Sequence, residues 1–271
     1  MVRSSRARGR LALTVAEAYS STAEAWQLGP ARIYDRLAGV LVALSPVPLA
    51  GGTLVDVGAG TGAAGRAARL AGAARVVAVD VAPGMLVRDP QRPAAALGDV
   101  RSLPFRAATF DASFAAFVLN HLSEPAAGLA EMRRVTRPGG AVLAAVYAAD
   151  DSHPVKAAVE AALEASGWVP ARWFSELRQG ALSVLATVDQ CAAAMRAAGL
   201  DPAVTNVRVP FPELDAYALV EWRLGLAQHA PFFAALPAET RHGVVENAVG
   251  RLGDRPESLV RSILVMAAIA R

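Results

Sequence analysis

The 271-residue sequence contains a single cysteine, Cys191, and a single lysine, Lys156. One cysteine cannot close an intramolecular disulfide, which excludes a disulfide-framed scaffold and favours a reducing compartment. Aromatic residues are scarce at 6%, and charged residues make up 19% against 54% hydrophobic. That balance excludes a disordered, highly charged chain and leaves ample material for a core. No uninterrupted apolar run reaches the roughly 18 residues of a membrane-spanning helix, so no membrane association is expected. The apolar stretch after Arg10 runs only from Leu11 to Ala16 before Glu17 interrupts it, too short for a signal-peptide core. The expected location is the cytoplasm. The basic excess is small, 27 against 24 acidic residues. Arg3, Arg6, Arg8 and Arg10 crowd the first ten positions, so the remainder is close to neutral and lacks the basic face that nucleic-acid binding needs. With 26 of the 27 basic residues arginine and 61 alanines alongside, the composition reads as a coding bias rather than a chosen surface chemistry.

What is present has a clear order. Residues 1–10 are expected to be a flexible basic tail. Residues 11–48 read as a helical cover, two segments parted by Gly29-Pro30 and stopped by Pro46 and Pro48. Residues 49–149 then alternate short apolar runs with helical stretches. Thr53–Val57 and Val76–Val79 are continuously apolar apart from Asp56, as in strands buried on both faces; Ala94–Leu97 is weaker. Phe110–Leu119 reads as a fourth strand. Ser123-Glu124-Pro125 opens a helix with proline in its first turn, and Pro138-Gly139-Gly140 leads into a fifth strand, Ala141–Tyr147. This alternation predicts an α/β fold, a doubly wound parallel sheet with helices on both faces. Residues 150–186 predict a helical insertion. Residues 187–271 complete the sheet with Val204–Val209 and Ser262–Ala270, and Thr187–Gln190 has the form of a capping box. An aromatic-rich insertion falls at about 211–258.

Gly58-Ala59-Gly60-Thr61-Gly62 lies between the first strand and a helix, where the chain turns tightly and a ligand approaches the backbone. Gly60, Gly62 and Gly65 also fit the dinucleotide pattern, so the turn alone does not choose a cofactor. Asp80, ending the second strand, can accept both hydroxyls of an adenosine ribose in either case. Three features favour S-adenosylmethionine over a nicotinamide dinucleotide. Asp56 sits where a carboxylate can meet an ammonium group; Gly98-Asp99 ends the third strand, where an acceptor can take an adenine amine; and Arg134–Gly140 leads into the fifth strand.

The set Leu54–Gly62, Val79–Leu86, Gly98–Phe105, Phe110–Phe114, Asn120-His121-Leu122 and Arg134–Gly140 resembles the class I S-adenosylmethionine-dependent methyltransferases. More narrowly it resembles their small-molecule branch, typified by the ubiquinone and menaquinone biosynthesis enzymes. The resemblance implies a Rossmann-like sheet of seven strands, the last antiparallel, with the helical N-terminal cover and the insertions forming a substrate chamber. It implies that Gly58, Ala59 and Gly60 lie along the methionine part of the cofactor, with Asp56 near its amino group. It also implies that Asp80 binds the ribose and that Val81 and Met85 lie against the adenine. Asp99 would take the adenine amine beside Val100, and Ala116 and Phe117 would sit near the sulfonium. Phe105 and the residues before it read as packing.

Methyl transfer needs alignment and exclusion of water more than it needs catalytic groups. His121 and His153 are candidates for a general base; neither the histidines nor the lone cysteine has metal-ligand spacing. Tyr19 and Trp26 could cover the cofactor, and Tyr147, Trp222, Phe232 and Phe233 could line a substrate pocket. The expected activity is methyl transfer to O, N or C of a small, largely apolar acceptor. Alternatives are a protein of the same fold that binds the cofactor without transferring methyl, and a nicotinamide-dependent oxidoreductase. The sequence does not set the acceptor or the oligomeric state.

Overall fold

Among the described residues seven strands form one sheet: β1 (Thr53–Val57), β2 (Arg75–Asp80), β3 (Ala95–Leu97), β4 (Phe110–Ala116), β5 (Thr136–Tyr147), β6 (Ala203–Phe211) and β7 (Leu259–Ile269). Their order is β3-β2-β1-β4-β5-β7-β6 in the computed structural model, which describes residues 14–86, 94–180, 183–253 and 255–271. The expected basic tail, 1–10, lies outside the described residues. β1 to β5 run parallel, and β7 is antiparallel to both its neighbours. The expected seven-stranded Rossmann-like sheet with an antiparallel last strand is therefore present.

The strands carry a continuous apolar run because alternate residues feed two separate cores. On one face Leu54, Phe114, Leu143 and Ile263 pack with Ile33, Leu37 and Leu41 of α3 (Ala31–Ala43). The same core takes in α4 (Ala63–Leu70) and α6 (Val155–Glu164). On the other face Val55, Val79, Val142 and Leu264 meet Leu129, Met132 and Val135 of α5 (Pro125–Val135). Cys191 and Met195 of α8 (Val188–Ala197) close that second core. Burial pushes the Cys191 thiol up to about 11, so it serves as a small apolar side chain. Arg134 ties α5 to the preceding loop by donating to the carbonyls of Leu103 and Phe105, while the Phe105 ring packs edge-on against Phe110.

Ahead of the sheet stand α1 (Val15–Ser20), α2 (Ala23–Leu28) and α3. After β5 come α6, α7 (Arg172–Gln179) and α8; between β6 and β7 come α9 (Ala216–Leu224), α10 (Ala230–Ala235) and α11 (Ala238–Leu252). The Thr187–Gln190 capping box forms, each side chain accepting the other's backbone N–H at 3.2 and 3.0 Å. No helix among the described residues is long and apolar enough to cross a membrane.

Of the boundaries that differ from the sequence reading, three have a local cause. The first cover segment breaks in two at Ser21-Thr22, where both hydroxyls donate to the Ala18 carbonyl and Thr22 also to that of Tyr19. β4 stops at Ala116 rather than Leu119, because Phe117 adopts φ +60° and a single 3-10 turn, Leu119–His121, follows. β5 starts at Thr136, and Pro138-Gly139-Gly140 is taken up as an irregularity: Phe110 pairs with Thr136, but Ala112 pairs with Ala141.

Candidate active site

The sheet order reverses between β1 and β4, and a crevice outside the carboxyl ends of the strands follows from that topology. A cavity of about 920 Å³ lies there, between the ends of β1, β2, β4 and β5 and the covering helices.

The glycine turn forms its floor. Gly58 has φ +63°, and a Cβ there would come within 2.5 Å of Val118; Gly60 has φ +51°. Gly62, also left-handed, precedes α4 without a capping side chain. Asp56 supplies a cap from inside β1: its Oδ2 accepts the Gly65 N–H at 2.8 Å, and the buried carboxylate still lines the cavity. Asp80 is held by two backbone donors, Gly60 N–H at 2.7 Å and Ala82 N–H at 2.8 Å. The turn and the end of β2 are thus fixed to each other through one carboxylate. Beside it Met85 and Val100 are buried, whereas Val81 leaves 54% of its surface exposed in the cavity wall. Asp99 lines the wall as well, gripped by Arg101 at 2.5 Å, which keeps its carboxyl below the usual range.

The cover meets this floor from above. Tyr19, Trp26 and Tyr34 all line the cavity and form a connected aromatic group, Trp26 lying 5.7 Å from Tyr19 and 4.8 Å from Tyr34. Tyr34 meets Phe117 edge-on, and Phe117 stacks on Tyr147 at 4.6 Å. The left-handed backbone of Phe117, unusual for a non-glycine residue, ends β4 at this aromatic group. His121 lines the cavity with its Nε2 3.4 Å from the Tyr19 hydroxyl, while its buried Nδ1 has no hydrogen-bond partner among the described residues. Burial pulls its pKa down to about 4, so the imidazole is neutral at pH 7.

His153 is placed differently. Its Nδ1 accepts the Val155 N–H, and its Nε2 lies 3.0 Å from the Glu257 carbonyl, so both nitrogens are taken up by backbone. Although it lines the cavity, its geometry is that of a cap on α6. Of the four residues expected in a substrate pocket, Tyr147 and Trp222 line the cavity. Phe232 and Phe233 are absent from its wall: α10 turns them against the larger apolar core, where they are half-buried.

Sequence reasoning missed Tyr34, Arg223 and Arg261. Arg261 did leave a signal, as the one charged residue in the otherwise apolar run of β7. It is buried and paired with Asp151, Nε to Oδ1 at 2.9 Å and Nη2 to Oδ2 at 2.5 Å, and its guanidinium lies 4.0 Å over the Tyr147 ring.

The core that carries this floor is similar in sequence and in fold to S-adenosylmethionine-dependent methyltransferases. The family model for a methyltransferase domain matches residues 55–144. A malonyl-[acyl-carrier protein] O-methyltransferase from Serratia marcescens is 45% identical over 36% of this chain and 40% of its own. A demethylmenaquinone methyltransferase from Renibacterium salmoninarum is 40% identical over 52% of this chain and 56% of its own. The chain thus spans about half the length of the curated relatives it matches. Among solved structures, the Haemonchus contortus phosphoethanolamine N-methyltransferase 2 in complex with S-adenosyl-L-methionine shares the fold. Its TM-score is 0.54 at 20% identity, over 86% of this chain and 52% of that one.

Proposed function

We propose that the chain binds S-adenosylmethionine and transfers its methyl group to O, N or C of a small, largely apolar acceptor. The observation that carries this reading is Asp80, its carboxylate fixed by the N–H groups of Gly60 and Ala82 in the cavity wall. A carboxylate so placed suits a ribose diol, and the exposed Val81 next to Met85 and Val100 offers a flat base an apolar seat. Gly58, Ala59 and Gly60 would hold the methionine part, Asp56 its ammonium, and Asp99 the adenine amine. The cofactor when bound supplies an electrophilic methyl on positive sulfur, whose departure needs no protonation.

The protein's own task is orientation and exclusion of water. Ala116 and Phe117 would border the reacting carbon, and the aromatic group from Tyr19 to Tyr147 would screen it. His121 is neutral and has a free Nδ1 lone pair or proton to offer, but its low basicity restricts it to orienting the acceptor or relaying a proton from an already acidic one. The engagement of both His153 nitrogens supports reading it as structural. A reducing, cytoplasmic setting goes with the buried lone thiol. The acceptors named for the relatives and the near-neutral chain support a metabolite rather than a nucleic acid.

Isothermal titration with S-adenosylmethionine, S-adenosylhomocysteine and NADH tests the cofactor. Micromolar binding of both adenosyl compounds and none of NADH is expected. Binding of NADH alone overturns the assignment. Conversion of bound cofactor to S-adenosylhomocysteine in the presence of candidate acceptors then separates transfer from mere binding.

A further inference from the structure

Two arginines reach the cavity from its far end, and only one has a full set of partners. Arg261 is satisfied by the bidentate contact to Asp151. Arg223, on α9, lines the same wall with its side chain 12% exposed, yet its nearest carboxylate, Glu160, stands 3.8 Å away. The Arg223 Nε, the Glu160 Oε1 and the Trp222 indole N–H are all buried with no hydrogen-bond partner among the described residues. Both guanidinium groups lie close to the Trp222 ring, 5.4 Å for Arg223 and 4.9 Å for Arg261. A largely buried guanidinium short of partners is unfavourable, and a ligand anion would complete it. Burial, with the neighbouring Arg261 charge, lowers Arg223 to about 10, so it remains a cation at pH 7 that an anion would stabilise.

We propose that Arg223, backed by Arg261 and the Trp222 indole N–H, receives the carboxylate of a flat, apolar, monoanionic methyl acceptor. This rests on the methyltransferase reading of the cavity and narrows its substrate class. The charge is argued from the neighbours. Asp151 is taken up by Arg261, and Glu160 makes no hydrogen bond to Arg223, so Arg223 keeps donors for one carboxylate while the near-balanced charge disfavours a dianion. The planar guanidinium fork matches a carboxylate, and the rings of Tyr147, Trp222, Phe117 and Tyr34 suit a flat body. Asp80 on β2 and Arg261 on β7 are four strand positions apart, roughly 19 Å at the usual strand spacing. The arginines therefore sit away from the ribose end of the cavity.

The test uses the full chain saturated with S-adenosylhomocysteine and, as probes, 1-naphthoate, its neutral isostere 1-naphthamide and 1-naphthyl phosphate, with titration calorimetry as the readout. Naphthoate is expected to bind at least about tenfold more tightly than the amide, a preference lost in Arg223→Met and partly kept in Arg223→Lys. The affinity for S-adenosylhomocysteine stays unchanged in both variants. Equal binding of acid and amide, binding of neither, or tighter binding of the phosphate overturns the proposal. So does a preference that survives in Arg223→Met. A matching loss of S-adenosylhomocysteine affinity would assign Arg223 to the cofactor's own carboxylate and also overturn it. Failure of the wild-type chain to bind S-adenosylhomocysteine at all would instead strike the methyltransferase reading beneath it.

Discussion

At the scale of single residues, Asp80 and His121 both face the cavity, and their surroundings set them different tasks. Asp80 is pinned by two N–H donors, so it meets a ligand already in place. Asp80→Ala removes that acceptor and frees the glycine turn; S-adenosylhomocysteine binding is expected to weaken by about 1–3 kcal/mol, read by calorimetry. His121 is buried, and its depressed pKa has a consequence for stability. Between its folded value of about 4 and the ordinary 6.5, the unfolded chain binds a proton that the folded chain refuses. Stability from this residue is therefore present above pH 6.5, falls as the pH drops through that window, and levels off below 4. His229, pulled down to about 3 by burial, adds in the same direction. The urea midpoint of His121→Gln is expected to fall less between pH 7 and pH 4.5 than that of the unaltered chain. An identical fall in both would refute the burial argument.

At the scale of elements, α1 is held against the rest of the molecule by the contacts of Tyr19 and by one close backbone approach. A Cβ on Gly84, in the loop after β2, would stand 2.3 Å from the Ser20 carbonyl oxygen and 2.7 Å from its Cα. Gly84→Ala is thus expected to lift α1 from the floor of the cavity while leaving the sheet intact. Limited proteolysis within 15–28 should quicken, and S-adenosylhomocysteine should dissociate faster, with little change in the global urea midpoint. The core elements were legible in the sequence because each strand feeds two apolar cores and each parallel crossing needs a helix. Strict alternation of apolar and polar residues was not what gave them away: Leu54 points to one core, and Val55 and Val57 to the other. The cover was less legible. Its break at Ser21-Thr22 depends on two hydroxyls choosing local carbonyls, and the early end of β4 depends on the backbone of Phe117. Neither leaves a periodic trace.

At the scale of the whole molecule, the motif-bearing half of the cavity could be read ahead of the structure and the other half could not. Asp56, Asp80, Asp99 and the glycines lie at strand ends whose order in the sequence maps directly onto the sheet. Tyr34, Arg223 and Arg261 come from three distant segments, and only tertiary packing brings them to one wall. At α10 the Phe232-Phe233 pair packs against the larger core and is absent from the cavity wall, a placement its composition does not reveal. Ligand binding should stabilise the assembled cavity as a unit: S-adenosylhomocysteine at about a hundredfold its Kd is expected to add about 2.7 kcal/mol. Hydrogen exchange should slow in 15–34 and 57–66 while 203–211 is unaffected. Protection confined to the glycine turn would mean that the cover does not take part.

The cover is fastened by groups far along the chain. Arg32 bonds the Ala218 carbonyl and pairs with Glu221, and Arg36 reaches the Pro210 carbonyl and Glu213, at separations of 174 to 189 residues. During translation at roughly 5–20 residues per second, α3 therefore emerges about ten seconds or more before its anchors exist. The roof of the chamber is made early and settled late. Until those anchors are made the aromatic face of the cover lacks its closing contacts, and a ligand that bridges floor and cover would hasten the final closure.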